Sequence, residues 1–168
     1  MSVATARSPW TTCARYSVAL GHANVATYIQ SGNVIFTSDV RSPQRLGRAL
    51  EERLSRDLGL AAGVLVRTEQ ELADVVARNL FARPPTDVSK LHVTFLSEAP
   101  DATRVAALGA LSPWPDEFRL IGREGFLHCP NGYGKTKLNN AFFERRLAVR
   151  ATTRTWKPVT ALLRLAGG

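Results

Sequence analysis

Acidic residues almost vanish from the last fifty positions of this chain. Of fourteen Asp and Glu in 168 residues, only Glu124 and Glu144 lie beyond residue 118, where ten Lys and Arg stand. The first 118 residues balance at twelve against twelve, so the whole formal charge of +8 belongs to the C-terminal end. A local excess of this kind attracts phosphates and other polyanions, with an affinity that falls as salt rises. The plainer account is an Arg-rich solvated surface. Cysteine is scarce as well. Cys13 and Cys129 form no disulfide framework and no metal-ligand spacing, which excludes a stapled secreted scaffold and a zinc site and fits a reducing cytoplasm. No stretch approaches the roughly 18 apolar residues of a membrane helix, and no apolar run follows Arg7, which argues against a secretory signal. No cofactor, metal or membrane partner is therefore expected, and oligomeric state is not legible.

What is present reads as alternating strands and helices. The stretch "NVATYIQSGNVIFTS" is a hairpin, with β-branched and aromatic residues on either side of Gly32, which supplies a positive φ. A helix follows with Ser42 as N-cap, Pro43 at its first position, a buried stripe of Leu46, Leu50, Leu54 and Leu58, and its end at Gly59. "GVLVRT" is a short strand, and Thr68 with Glu71 forms a capping box for the next helix. The loop "FARPPTDV" separates the halves. Beyond it come the strand "KLHVTFLS", a helix through Val105, Leu108 and Leu111, strands "EFRLIGR" and "GFLHCP" joined by a turn at Glu124-Gly125, a helix from about Lys137 to Leu147, the strand "ATTRTWK" and a terminal helix. Residues 90–157 read as βαββαβ and residues 19–67 as ββαβ. The expected fold is α+β, two tandem ferredoxin-like units, the first lacking its opening strand.

"ALGHANVATYIQSGNVIFTS", with "LVRTEQELADVVARNLF", "KLHVTFLSEAP" and "GYGKTKLNNAFFERRL", resembles the bacterial family catalogued as domain of unknown function 1697. The resemblance runs from Ala19 to the C-terminus. It implies two ferredoxin-like halves, in agreement with the repeat, and implies no activity. It also implies an apolar strand, a segment similar to Arg-Gly-Ile-Asn-Val-Gly-Gly and a helix at the start, none of which this chain shows. Back-translated and read one base earlier, residues 1–17 encode Asn-Val-Gly-Gly-His-Arg-Lys-Val-Ala-Met-Asp-Asp-Leu-Arg-Ala-Val-Phe with a suitable choice of codons. Residues 1–18 are thus expected to be an out-of-frame segment, 19–83 an incomplete first unit that is poorly stable, and 84–168 a second unit with a C-terminal helix.

The segment "NGYGKTKLNN" carries the candidate site: Gly132, Gly134, Lys135, Thr136 and Lys137, supported by Arg145, Arg146, Arg150 and Arg154. A phosphate loop of the Walker type would need glycine where Cys129 stands. What remains is a glycine turn, two ammonium groups and a helix start, a plausible anion site. Thr136 as an ordinary N-cap is the structural alternative. The resemblance marks this segment as a family feature without a ligand.

Catalytic candidates are few. His128 and Cys129 are neighbours in a strand and point to opposite faces. His22 and His92 are isolated, Cys13 lies in the doubtful segment, and Glu51 and Glu52 read as solvated helix carboxylates. Ser31 and Asn33 are explained by turn chemistry, and Trp114 and Trp156 by apolar anchoring rather than stacking on a base. The expected function is cytoplasmic, non-enzymatic binding of a polyanion, nucleic acid foremost. The alternatives are a small enzyme holding a phosphorylated substrate at the glycine turn, and an interaction module with no ligand. Against an RNA-recognition surface, "KLHVTFLS" lacks paired aromatics.

Overall fold

A computed structural model describes residues 1–6, 21, 23–28, 32–59, 63–109 and 115–167. The chain folds as two compact units, 1–74 together with 161–168, and 75–160. In the first, β1 (Ser2–Ala6), β2 (Ala23–Tyr28), β3 (Asn33–Thr37) and β4 (Val64–Thr68) form an antiparallel sheet in the order β2-β3-β1-β4, and α1 (Pro43–Leu58) connects β3 to β4. In the second, β5 (Leu91–Leu96), β6 (Glu117–Ile121), β7 (Glu124–His128) and β8 (Ala151–Thr155) take the equivalent order β6-β7-β5-β8. There α3 (Ala102–Gly109) follows β5 and α4 (Asn140–Leu147) precedes β8. With α2 (Glu69–Arg78) and α5 (Trp156–Ala166), the described residues hold five helices and two four-stranded sheets, consistent with tandem ferredoxin-like units.

The expectation of a missing opening strand is corrected. Ser2–Ala6 fill the central place of the first sheet, pairing with β3 through Val3↔Ile35 and with β4 through Val3↔Arg67. A central strand covered on both faces needs no alternation of polar and apolar residues. Ser2, Val3 and Ala4 are all buried, so a short uncharged stretch without periodicity suffices. With that slot filled, the unpaired edges that argued for an unstable first half are absent among the described residues. Most of the segment read as out of frame, residues 7–18, lies outside the described residues, as do residues 19–20, His22, Ser31, Leu111 and Trp114.

Local signals hold where caps and glycines specify them. Ser42 Oγ accepts the Arg45 N–H at 3.3 Å. The capping box is reciprocal: Glu71 N–H donates to Thr68 Oγ1 at 3.1 Å and Thr68 N–H to Glu71 Oε2 at 2.9 Å. Gly32 has φ 83°, and Asn33 Nδ2 donates to the Tyr28 carbonyl across the hairpin. Leu46, Leu50 and Leu54 pack with Ala4, Val34, Phe36, Val64 and Val66 into the first core. Glu51 is not a solvated carboxylate: its Oε1 accepts the Val64 N–H at 2.7 Å, tying α1 to the start of β4.

Two boundaries differ from expectation. The β6–β7 turn is Gly122-Arg123, because Glu124 already opens β7 opposite Ile121 and Phe95. The helix expected from Lys137 begins at Asn140, because Asn139 rather than Thr136 is its cap, its Oδ1 accepting the Phe142 N–H at 2.9 Å.

Candidate functional site

The segment from Cys129 to Asn139 is a chain of tight turns laid against the second sheet. The Gly132 N–H donates to the Cys129 carbonyl, Lys135 N–H to Gly132 and Thr136 N–H to Tyr133, which closes a 3₁₀ turn over Tyr133–Lys135. Gly132 requires its glycine, with φ 90°. Tyr133 stacks on His92 of β5 with ring centroids 4.8 Å apart. His92 is buried, and its Nδ1 lies 3.2 Å from the Lys90 carbonyl. Burial pushes its pKa below the ordinary imidazole value and outweighs that hydrogen bond.

Thr136 is the pivot of the turn. Its buried hydroxyl donates to Asp116 Oδ2 at 2.6 Å and accepts the Leu138 N–H at 3.1 Å. The Cys129 thiol lies beside it, and burial pushes that thiol up to about 11, with the Asp116 charge acting in the same direction. A thiol so placed stays protonated at neutral pH and is a poor nucleophile. His128 faces away from Cys129, with Nδ1 3.4 Å from Glu117 Oε1 across the β6–β7 ladder, and the two form no dyad. A carboxylate bonded to the turn's hydroxyl makes Thr136 a structural residue. Among the described residues no group of three or more His, Cys, Asp and Glu is placed to hold a metal ion. A cavity of about 520 Å³ lies in the first unit, lined by Met1, Ser38, Arg41, Thr68 and Glu69 among others, and contains none of the expected residues.

The supporting cations separate into two groups. Lys135, Lys137, Arg145, Arg146 and Arg150 are exposed on the turn, on α4 and on the loop after it. Arg145 shares the outward side of α4 with Ala141, one turn earlier. Arg146 lies over the Phe142 ring at 5.9 Å. Glu144, the acidic residue of α4, is turned inward, where its Oε1 accepts the Ala151 N–H at 3.0 Å. Arg154 stands apart. Its neighbour Thr153 faces the helices, bonded to Asn140 Oδ1 at 2.7 Å, so Arg154 lies on the other face of β8, where Nη1 donates to Thr152 Oγ1 and the Thr153 carbonyl.

Arg104 joins the first group from α3, with Nη1 3.4 Å from the Arg146 carbonyl. It lies fifteen positions before the basic segment begins, so a charge count along the sequence leaves it out, although a ferredoxin-like unit sets both of its helices on one face of the sheet. Cations in the last turn of α4 also complement the helix dipole, which is a structural reason for Arg145 and Arg146.

Among curated proteins, none matches this chain. The fold is similar to that of the conserved bacterial protein SP0830 from Streptococcus pneumoniae, with a TM-score of 0.74 and 20% identity over 99% of this chain and 98% of that one. Residues 6–126, more than two-thirds of the sequence, match the proteins of unknown function DUF1697, and the chain belongs to that family.

Proposed function

We propose that this protein is a cytoplasmic, non-enzymatic binder of a polyanion, nucleic acid foremost, and that the helix layer of its second unit is the binding surface. The observation that carries this is the arrangement around α4. Arg104, Arg145, Arg146 and Arg150 are exposed together, Lys135 and Lys137 precede the helix, and Glu144 is turned to the β8 backbone. Such a surface gathers positive potential, the one carboxylate of α4 being turned away from the exposed arginines to the β8 backbone.

The sheet is no alternative platform. All six residues of β5 are buried, as is Phe126 of β7, so the open aromatic face used by RNA-recognition sheets is lacking here. The reading of the glycine turn as a single-phosphate pocket loses one of its supports, since the helix starts only at Asn140, and Thr136 Oγ1 already donates to a carboxylate. The test is fluorescence anisotropy with a labelled oligonucleotide over a range of salt. Binding is expected to weaken steeply with ionic strength, and the double substitution Arg145→Glu with Arg146→Glu should lower affinity by tenfold or more while leaving the circular dichroism unchanged. A shallow salt dependence, or binding indifferent to that double substitution, would overturn the reading.

A further inference from the structure

We infer that Asn131 is a modification site, where a cyclic imide converts the side-chain amide to a carboxylate, and that the turn from Cys129 to Thr136 gates the reaction. The inference is independent of the proposed function. Of the six asparagines in the chain, only Asn131 precedes a glycine. The Gly132 nitrogen attacks Asn131 Cγ, and the new C–N bond closes a succinimide ring. The Cγ–Nδ2 bond breaks, and ammonia leaves with the proton that Gly132 N–H gives up. Water then opens the ring at either carbonyl and yields aspartate or isoaspartate. Glycine permits the attack because it has no Cβ to shield its own nitrogen. Asn131 is exposed, and its side chain is bonded to no described residue. The other five asparagines each hold a side-chain hydrogen bond and precede a residue with a Cβ.

The fold adds a lock to this chemistry. Pro130 and Asn131 are the central residues of a turn that Gly132 N–H closes, donating to the Cys129 carbonyl at 2.9 Å. Asn131 has no positive φ, so the turn is of type I and holds the ψ of Asn131 near ~0°. Closing the imide ring turns ψ far from that value, and the attacking nitrogen is committed to Cys129 until the turn opens. The rest of the segment resists opening. Lys135 N–H donates to Gly132 and Thr136 N–H to Tyr133, Tyr133 stacks on His92, and the Thr136 hydroxyl donates to Asp116. Isoaspartate carries an extra methylene in the main chain, so the turn does not re-form on Cys129 once the reaction has run. Either product puts a carboxylate into residues 125–143, which hold no other.

The experiment incubates three samples side by side at mildly alkaline pH: the full folded chain, the full chain with Thr136→Val, and a synthetic peptide of residues 124–135. Each is sampled over time, and the fragment between Arg123 and Lys135 is read by mass spectrometry for a gain of one mass unit. Methylation by an isoaspartate-specific methyltransferase counts the isoaspartate formed. The peptide should react at Asn131, and the folded chain at least about tenfold more slowly, because opening of the turn precedes the chemistry. Thr136→Val should react several-fold faster than the parent chain with unchanged circular dichroism. If Thr136→Val does not fold, Tyr133→Ala, which removes the stack on His92, takes its place with the same expectation. A folded chain that reacts as fast as the peptide overturns the gate, as does a folded variant that reacts at the parent rate. A peptide that stays unmodified, or reaction of the chain at another asparagine first, overturns the site.

Discussion

Thr136 shows how one hydroxyl decides the character of a turn. It donates to Asp116 and accepts from Leu138, so it closes the segment from both sides while nearly buried. Thr136→Val removes the donor and leaves the carboxylate facing a methyl group; a loss of about 1.5–3 kcal/mol is expected, read from urea unfolding. The neighbouring thiol gives a pH prediction. The pKa of Cys129 is raised in the folded state, so its contribution is complete below the ordinary thiol value of 9.0 and is lost as pH rises from there through about 11. His92 acts oppositely. Its pKa is lowered, so the stability it contributes is present above 6.5 and is lost as pH falls below that value. Unfolding midpoints measured across pH should therefore form a plateau between about 6.5 and 9 with a decline on each side, and Cys129 should react with an alkylating reagent at pH 8 only once the chain is unfolded. The residue types were legible in the sequence, and so was the divergence of His128 and Cys129. The partner of Thr136 was not, because Asp116 lies twenty positions away in a stretch with no pattern of its own.

At the scale of elements, caps and periodicity were the dependable signals, and the misplaced start of α4 arose where two caps competed. Thr136 and Asn139 both have the chemistry of an N-cap, and the glycine turn made the earlier one look like the helix start. The tight turn through Tyr133–Lys135 uses Thr136 as its end, which leaves Asn139 to open α4. The other end of α4 offers a prediction. Ala148 adopts φ 57°, a left-handed conformation that a side chain resists, and its N–H donates to the Glu144 carbonyl. Ala148→Gly should relieve that strain and raise stability by about 0.5–1 kcal/mol after the extra chain entropy of glycine is subtracted, measurable as a higher melting temperature. In α1, Gly47 is there for closeness: a Cβ at that position would meet the Val64 carbonyl oxygen at 3.0 Å, so the helix lies directly on the β4 backbone. The repeat is visible in detail as well. Arg67 pairs with Val3 as Arg154 pairs with Val93, each arginine one residue from the end of the strand beside the opening one.

For the whole molecule, the first strand is the question that bears on everything else. Ser2–Ala6 complete the first sheet, and only the DNA tests whether the frame one base earlier is open upstream. If that frame encodes an apolar strand ending in Arg-Gly-Ile-Asn-Val-Gly-Gly, the central slot belongs to that strand, and the restored chain should melt at a higher temperature than this one. If stops close the frame, Ser2–Ala6 are the native strand, and Val3→Asp should unfold the first unit by burying a charge. The α+β class, the repeat of two units and the basic character of the last fifty residues were legible without coordinates, because periodicity, caps and charge balance are local properties, and the family was legible in the segments that resemble it. Only the tertiary structure decided that residues 2–6 form a strand, that Arg104 stands with the α4 arginines while Arg154 does not, and that the glycine turn is closed on a carboxylate. Each of these depends on which elements become neighbours, and burial on both faces erases the alternation from which a strand is read.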